Sequence, residues 1–382
     1  MTPGPPVRDS PDKRMAQRVL IFSASIGAGH DMPAAVLAGE LRARGAIAHV
    51  VDSLDVMGPV LRRVVAGASS LDTRAGSLVF EAGYVIGVKF APIRRRLAAL
   101  VELLARRRMR AFLAAHPASV LVSTYPIATE LLGRMRLRGW LMTPTVAAIT
   151  DLAALDGWAH PAIDLHLMIH PESEPEIRAI IGPRGRIAAV HGFSDLRFTQ
   201  PPERAAARRE LGLPADGAIV VVSGGGWGVG DLRGATQAAL QAGAGTVVVL
   251  VGNSEAARLR MEDAYVGDAR VRVWSFTDRM VALLSAADVL VHATAGLTVL
   301  EAMMCGCRVI SYGWAYGHIK TNNRAYERLG MASVARNRPA LDRALRAAIA
   351  AQPLPRAVPD LPHAADAVLT LAGADSEPAH AG

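Results

Sequence analysis

His30 is the residue of this sequence best suited to moving a proton. It ends the loop at 25–30, where Gly27 and Gly29 lack the side chains that would keep a ligand away from the backbone. Backbone N–H groups at the start of a helix attract anions, and an imidazole with an ordinary pKa of about 6.5 beside them is suited to general base catalysis. The simpler alternative is a polar residue that merely begins a helix.

A second glycine-rich loop, at 224–230, also follows an apolar run and precedes a helical pattern. Its amides predict an anion cradle, with Gly225 and Gly226 as the contacts. Neither loop has the spacing of a dinucleotide fingerprint, because Met32 stands where the last glycine would be, and neither has the Gly-Lys-Ser/Thr of a P-loop. Asp52 closes the second predicted strand where a ribose-binding carboxylate would stand, so a dinucleotide enzyme stays open as an alternative.

Glu301 lies one turn inside a predicted helix that follows the segment 293–298. A carboxylate at that position can accept both hydroxyls of a ribose whose phosphate meets the start of the helix. The simpler alternative is a surface acid that compensates the helix dipole. The next segment, 313–323, is rich in glycine, aromatic residues and asparagine, and this composition predicts a loop.

The elements that must position these residues alternate between short apolar runs and helical patterns. This alternation predicts an α/β fold of two Rossmann-like, doubly wound parallel sheets joined by a proline-rich linker at 199–202. The first helix is predicted to open at Pro33. Strands are predicted at 18–23, 46–52, 119–123, 144–150, 165–170, 218–223, 246–251, 270–274, 289–292 and 308–312. The predicted division is a tail at 1–17, a first domain at 18–198, a second at 199–355, and a C-terminal helix and tail at 356–382.

Composition excludes several classes of protein. With 382 residues, 51% hydrophobic and 20% charged, the chain is globular and not wholly disordered. The residues 1–17 contain no apolar core of a signal peptide, and the longest uncharged stretch, 234–254, divides into helix, turn and strand, so neither secretion nor a transmembrane helix is expected. Cys305 and Cys307 are too few for a disulfide framework or a zinc site, and we interpret them as small buried residues in a reducing compartment.

Most of the formal net charge of +8 lies in one segment, 92–113, which holds seven arginines against Glu102. Arg95 and Arg106 are eleven residues apart and therefore share a helix face. The apolar residues Ile93, Leu97, Leu100, Val101 and Leu104 mark another face. The pattern predicts a basic amphipathic helix at an anionic membrane surface, contacted by Arg94, Arg95, Arg106 and Arg107. The alternative is a solvated arginine face over a core-packing stripe. No aromatic residue interleaves the arginines, so no nucleic acid partner is expected.

In their order along the chain, these motifs resemble the GT-B glycosyltransferases of the monogalactosyldiacylglycerol synthase and processive diacylglycerol glucosyltransferase group, and more distantly the peptidoglycan-precursor N-acetylglucosaminyltransferase. The matching segments are Gly27-Ala-Gly-His30, Thr150-Asp151 with Trp158, Gly192-Phe-Ser194 with Phe198, 224–230, and 276–301 with 317–322.

The resemblance implies a nucleotide-sugar donor, usually a UDP-sugar, held mainly by the second domain, and an acceptor held by the first. His30 matches the family's base, and Gly27, Gly29, Asp151 and Trp158 fall on the acceptor side. The donor side comprises Gly225, Gly226, the backbone of Phe276, Ala295, Gly296, Leu297, Thr298, Glu301, His318 and Asn322. No metal and no cofactor are expected, since loop amides and Lys320 could stabilise the diphosphate. The family's Gly-Gln-Glu-x-x-Asn reads Gly317-His-Ile-Lys-Thr-Asn322 here, which lacks the Gln and the acid that commonly contact the sugar.

The resemblance therefore implies an inverting transfer of a hexose from a UDP-sugar to a lipid acceptor, diacylglycerol foremost. The protein would lie peripherally on the inner, cytoplasmic face of the cell membrane. One alternative is a polyprenyl-linked or soluble secondary-metabolite acceptor. Another, which the altered segment 317–322 favours, is a catalytically silent nucleotide-sugar-binding protein.

Overall fold

Two parallel sheets of six strands each organise the protein. The computed structural model describes residues 16–25, 28–72, 91–292, 296–313 and 317–374, so the predicted site residues Gly27 and Ala295 lie outside the described residues. Every strand pairing in both sheets is parallel. The predicted α/β fold class is confirmed.

The first sheet has the strand order β2-β1-β3-β4-β5-β6. Residues of β1 alternate between two cores, with Val19 and Ile21 facing one and Leu20 and Phe22 the other, because successive side chains of a strand point to opposite faces. The strands are β1 Arg18–Ser23, β2 Ile47–Asp52, β3 Val120–Ser123, β4 Thr145–Ile149, β5 Leu165–Met168 and β6 Ile187–Ala189. The helices are α1 Ala28–Ala43, α2 Ser53–Met57, α3 Pro59–Asp72, α4 Ala91–Ala115, α5 Pro126–Leu137 and α6 Glu174–Ile181.

The second sheet has the order β12-β11-β10-β7-β8-β9, the strand order of a Rossmann fold when counted from β7. Its strands are β7 Ile219–Ser223, β8 Thr246–Leu250, β9 Val271–Trp274, β10 Val289–His292, β11 Arg308–Tyr312 and β12 Ser333–Ala335. The helices are α7 Arg204–Glu210, α8 Leu232–Gln241, α9 Glu255–Ala264, α10 Met280–Ala286, α11 Leu297–Met304, α12 Gly317–Arg328 and α13 Arg338–Ala350. Cys305 and Cys307 are free and buried here, as predicted.

The last helix, α14 Ala364–Ala374, packs on the first sheet although it follows the second in sequence. Its buried residues Ala364, Ala365 and Val368 join the core formed by α1 and the first sheet. Backbone hydrogen bonds link its start to the segment between the sheets: His191 N–H donates to Pro362 O at 3.0 Å, and Ala364 N–H donates to His191 O at 2.7 Å. The chain therefore crosses twice between the sheets.

Two predictions about local structure were wrong. Helix α1 begins at Ala28, five residues before Pro33, so His30 lies in its first turn. The segment predicted as a loop at 313–323 contains the start of α12. The alternative of a core-packing stripe on α4 holds only in part: Val101 packs against the core, whereas Leu97, Leu100 and Leu104 are 42–50% exposed.

Candidate active site

The candidate residues gather at the switch points of the two sheets. In the first sheet β1 lies between β2 and β3, so the segments that follow β1 and β3 leave the sheet in opposite directions; in the second sheet β7 and β10 make the corresponding pair. Ligands of open parallel sheets bind beyond the carboxyl ends of strands at such points. His30 follows β1, Thr124 follows β3, the glycine-rich loop follows β7 and Glu301 follows β10.

The His30 imidazole bridges the first switch point. Its Nδ1 lies 2.9 Å from the backbone oxygen of Thr124, and the Thr124 hydroxyl donates to the backbone oxygen of His30 at 3.2 Å. A carbonyl oxygen can only accept, so Nδ1 carries the proton and the lone pair of the neutral ring lies on Nε2. The contact thus selects the tautomer that a general base requires.

Aromatic rings enclose His30 on two sides. The ring of Tyr125 lies edge-on at 5.1 Å between centroids, and that of Trp158 lies tilted at 5.6 Å. Trp158 is buried, and its indole N–H donates to Asp151 at 3.1 Å, which fixes the ring against His30. Burial, with the charge of Asp52 added, holds the pKa of Tyr125 above its usual range, so the phenol stays neutral. The structure therefore brings together His30, Asp151 and Trp158 from the acceptor-side prediction.

Glu301 lies in α11, beyond the second switch point. Burial raises the pKa of its carboxyl to about 7. The nearby Ser194 hydroxyl lowers this pKa slightly, and the negative charge of Asp195 raises it. Because Ser194 and Asp195 belong to the segment that joins the two sheets, Glu301 faces the junction of the two halves. In its ionised form, which predominates above about pH 7, this carboxyl can accept hydrogen bonds from hydroxyl groups.

Gly296 is the residue immediately before α11, and its φ of 123° is one that side-chain-bearing residues rarely adopt. Among the residues that the structure describes, none comes within 4 Å of a Cβ placed at Gly296. Leu297 and Thr298 form the first turn of α11, and both are partly buried. This geometry is compatible with the predicted binding of an anion at the start of α11.

The glycine-rich loop turns tightly after β7. Gly225 N–H donates to Ser223 Oγ at 3.2 Å, and Gly226 O accepts from Asn253 N–H at 2.9 Å, so the loop is braced on both sides. A Cβ at Gly252 would lie 2.4 Å from Gly226 O. The loop that contains residue 252 can therefore pack this closely against the glycine-rich loop only because residue 252 is a glycine. Phe276 N–H donates to Gly252 O at 2.9 Å, while the phenyl ring is 52% exposed.

Asn322 makes contacts between the two halves that the sequence did not predict. It is fully buried in α12, and its Oδ1 accepts hydrogen bonds from Leu152 N–H at 2.9 Å and Ala153 N–H at 3.0 Å. The side-chain oxygen therefore joins the two halves, and a contact of Asn322 with a donor stays a prediction. His318 lies in the first turn of the same helix, where a loop had been expected.

Asp52 serves a structural purpose. One carboxylate oxygen accepts from Leu54 N–H at 2.8 Å and so caps the start of α2. This contact is local and gives no support to the dinucleotide alternative. Thr124 and Tyr125 were not predicted as site residues, although their position after β3 is a signal by the same strand-end rule that selects His30.

The predicted membrane arginines of α4 do not form one set. Arg95 and Arg107 are exposed, whereas Arg94 pairs with Asp156 and the guanidinium carbon of Arg106 lies 5.5 Å from the ring centroid of Trp140. The part of the chain that the structure describes contains no helix long and apolar enough to cross a membrane. Within the same residues no group of three His, Cys, Asp or Glu is arranged to hold a metal ion.

Two Rossmann-like parallel sheets of six strands each define a GT-B-type glycosyltransferase fold. Solved structures share it: MurG of Acinetobacter baumannii is 16% identical, with 93% of this chain and 99% of that chain covered at a TM-score of 0.55. UGT89C1 of Arabidopsis thaliana complexed with UDP is 14% identical, with 96% of each chain covered, also at 0.55.

Sequence comparisons show which glycosyltransferases the chain is related to. Residues 30–188 match the family model of monogalactosyldiacylglycerol synthase, and residues 228–351 match glycosyl transferases group 1. The processive diacylglycerol beta-glucosyltransferase of Bacillus pumilus is 21% identical over 322 residues, 83% of each chain. The chain is a glycosyltransferase related to the diacylglycerol glycosyltransferases, and the predicted resemblance is confirmed. The dinucleotide-enzyme alternative was wrong.

Proposed function

We propose that the protein transfers a hexose from a UDP-sugar to a hydroxyl of a lipid acceptor, diacylglycerol foremost, with inversion at the anomeric carbon. The observation that carries the proposal is the contact of His30 Nδ1 with Thr124 O, which selects a base with its lone pair on Nε2 at a sheet switch point. The relationship to diacylglycerol glycosyltransferases supports the choice of acceptor.

In the proposed reaction the acceptor oxygen attacks the anomeric carbon of the donor. Its proton passes to Nε2 of His30, the new oxygen–carbon bond forms, and the bond between the anomeric carbon and the UDP oxygen breaks. UDP leaves with the electron pair of that bond. A single displacement of this kind inverts the anomeric configuration. The Trp158 ring, itself oriented by Asp151, keeps the imidazole from turning away.

The donor half has to stabilise the charge that develops on UDP. Glu301 is suited to the ribose hydroxyls, and the start of α11 at Gly296 is suited to the diphosphate, since helix N-termini favour anions. The Gly225–Gly226 turn and Lys320 supply further donors. We propose that these groups stabilise the leaving UDP without a metal ion.

The acceptor proposal extends to the membrane. Helix α4 exposes Leu97, Leu100, Leu103 and Leu104, which are 42–58% accessible, beside the exposed Arg95, Arg96 and Arg107. Exposed leucines interleaved with arginines suit a surface that is apolar beneath and anionic above. We therefore place the protein peripherally on the inner, cytoplasmic face of the cell membrane, where a lipid acceptor would be reached.

The test is transfer itself. Purified protein is incubated with a panel of UDP-sugars and a total lipid extract, with the His30→Ala variant in parallel, and mass spectrometry follows lipids that gain one hexose. The proposal expects a hexosyl-diacylglycerol with the wild type and little with the variant. A hexose gained only by a soluble or polyprenyl-linked acceptor would overturn the acceptor, and UDP binding without any transfer would indicate a silent nucleotide-sugar-binding protein.

A further inference from the structure

The two segments that connect the halves of the molecule meet at one place, beside the helix that carries His30. The outgoing segment begins at His191, after β6, and the returning segment ends at His363, before α14. Two backbone hydrogen bonds join them: His191 N–H donates to Pro362 O at 3.0 Å, and Ala364 N–H donates to His191 O at 2.7 Å. The two imidazole rings lie 4.0 Å apart between centroids. Any movement of one half relative to the other therefore pivots near this contact.

Glu40 of α1 binds the returning segment at this place. Its side chain is only 2% exposed, and its Oε2 lies 3.1 Å from His363 Nδ1 and 3.2 Å from Arg44 Nη1. An ionised carboxylate can only accept, so Nδ1 of His363 carries the proton of this contact. Among the residues that the structure describes, the buried Oε1 of Glu40 has no hydrogen-bond partner. Because α1 also carries His30, the contact ties the helix of the proposed base to the returning segment.

Gly192 brings the outgoing segment against the same carboxylate. Its φ of 112° lies in the region that favours glycine, and a Cβ there would lie 2.7 Å from Glu40 Oε1. Two residues further on, Ser194 lies beside Glu301 of the donor half. The way in which the outgoing segment packs on α1 therefore affects where the donor half stands relative to His30.

The charges around the two imidazoles balance when the pair of rings carries one proton. We call the group of ionisable side chains at this place the hinge cluster; it comprises Glu40 and Arg44 of α1, Asp366 of α14, and His191 and His363. One guanidinium and two carboxylates give a net charge of −1 with both rings neutral, so a first proton brings the charge to zero and a second makes it positive. Burial lowers the pKa of His191, and a charge on His363 lowers it further, so the second proton is disfavoured while the rings stay in contact. Burial also raises the pKa of Glu40, which moves the loss of its negative charge toward the range in which histidine titrates.

We propose that the hinge cluster is a proton-dependent contact between the halves, which holds the outgoing and returning segments together until His191 and His363 are both protonated. Repulsion between the two charged rings then breaks the two backbone hydrogen bonds that join the segments. The separated form restores the ordinary pKa of His191, about 6.5, whereas the joined form binds this proton less readily. Separation therefore becomes more favourable as the pH falls below about 6.5. Its effect on hexose transfer rests on the proposed function, in which His30 of α1 is the base.

Hydrogen exchange of the segments 187–195 and 360–368 measures the separation directly. It is followed by peptide-resolved mass spectrometry at about pH 7.5 and pH 5.5, with the intrinsic pH dependence of exchange divided out. Protection in the wild type should fall by about fivefold to tenfold, because an opening coupled to one proton gains at most about tenfold for each pH unit below 6.5.

Two variants test whether the pair of rings is the cause. His191→Gln cannot take up the second proton, and His363→Gln leaves a single imidazole while its amide can still donate to Glu40. In each variant protection should change by less than about twofold between the two pH values. The matched control is His49→Gln, which removes an exposed histidine of β2 and should respond as the wild type does. A response that is absent from the wild type, or that persists in either variant, would overturn the proposal.

Turnover provides the second readout. The ratio of turnover in His191→Gln to that in the wild type, at saturating UDP-sugar, should be near one at pH 7.5 and should rise at least about threefold at pH 5.5. His30 titrates in both proteins, so its own contribution cancels in this ratio. A constant ratio beside a pH-dependent exchange would overturn the link between the hinge cluster and transfer. Exchange requires no substrate, so its result stands even for a protein that transfers no hexose, and failure of the proposed function is thereby distinguished from failure of this proposal.

Discussion

The side-chain oxygen of Asn322 accepts a hydrogen bond of 2.9 Å from the backbone N–H of Leu152, across the junction of the two sheets. The same oxygen accepts from Ala153 N–H at 3.0 Å. These amides follow Asp151 directly, and Asp151 orients the Trp158 ring beside His30. A residue of the donor half therefore holds the segment that positions the proposed base.

We expect Asn322→Ala to lower stability and turnover while leaving UDP affinity nearly unchanged. It leaves two buried N–H groups without an acceptor, at a cost of about 1–3 kcal/mol each, and it frees the Asp151 segment. Turnover should fall by more than tenfold, while UDP affinity should change less than threefold. The control is Asn323→Ala: Asn323 is also buried but bonds Ser311 at 2.8 Å within the second half. Equal loss of turnover in both variants would contradict a role in domain arrangement.

His30→Ala should lower turnover by about 10² to 10⁴, the usual contribution of a general base, and leave UDP affinity within a few-fold. The physical reason is that Nε2 would accept the acceptor proton, whereas nothing assigns the ring to the donor. Transfer rates and UDP titrations on the same preparation check the prediction. Tyr125→Phe is the matched control, since it keeps the ring beside His30 and removes a hydroxyl that takes no part in the proposed reaction. An unchanged rate in His30→Ala would end the assignment.

The central strands were predictable because strands buried on both faces give continuous apolar runs. Together with the outer strands, ten were placed within about one or two residues. Strands β6 and β12 have three residues each, too few to show a pattern. Helix α12 was missed because Gly317, Asn322 and Asn323 are weak helix formers. Its buried residues Ile319, Asn322 and Tyr326 stabilise it by tertiary contacts that local propensity does not record.

The site was predictable in its residue types but not in its contacts. His30 could be selected from its loop, whereas its tautomer depends on Thr124, 94 residues away. The orientation of α4 was ambiguous because both of its faces carry apolar residues. The structure buries the smaller ones, Ala98 and Ala105, and leaves the leucines in solvent, an outcome set by how closely α4 can approach its neighbours.

UDP binding should be pH-dependent through Glu301. With its pKa raised to about 7, the carboxyl holds its proton below that pH, and ribose hydroxyls donate best to the ionised form. Binding therefore releases a proton, and UDP affinity should rise roughly tenfold between pH 6 and pH 8. The secondary phosphate of UDP titrates in the same range, so Glu301→Gln is measured alongside as the reference. Identical pH profiles in the two proteins would show that Glu301 does not contact the ribose.

The same shift affects stability without UDP. A carboxyl whose folded pKa lies above its unfolded value binds more protons when folded, so its contribution becomes destabilising as pH rises from about 4.5 to 7. Glu301→Gln should therefore be more stable than the wild type at pH 8, by about 1–3 kcal/mol, and similar to it at pH 4. Denaturant unfolding at the two pH values checks the sign; a variant less stable at pH 8 would contradict it.

The returning helix α14 should be essential to the first half. Val368 is fully buried against α1 and the first sheet, and Val368→Asp would place a charge there at a cost above about 3 kcal/mol. Hydrogen exchange of the amides in β1 and α1 should accelerate, while amides of β7 and β10 stay protected. Thr370→Asp, on the exposed face of the same helix, should have little effect. Uniform acceleration in both halves would show that α14 does not act on the first sheet alone.

The exposed leucines of α4 should anchor the protein to membranes in a way that salt does not remove. Replacing Leu97, Leu100 and Leu104 with serine removes apolar area that would leave water on binding, about 1.5–3 kcal/mol for each side chain fully buried. Replacing Arg95, Arg96 and Arg107 with glutamine removes three charges, each worth about 1 kcal/mol near anionic lipid, or somewhat over a hundredfold in partitioning altogether.

Cosedimentation with anionic vesicles should be weakened by both sets at low salt. At about 1 M salt, where the Debye length is about 3 Å, only the leucine set should still differ from the wild type. Leu259→Ser, which alters a leucine 53% exposed on α9 in the second half, is the control for loss of exposed apolar area elsewhere. Wild-type pelleting by all variants would leave α4 as a solvated surface, and a soluble short-chain acceptor assay on the same samples would confirm that each variant is folded.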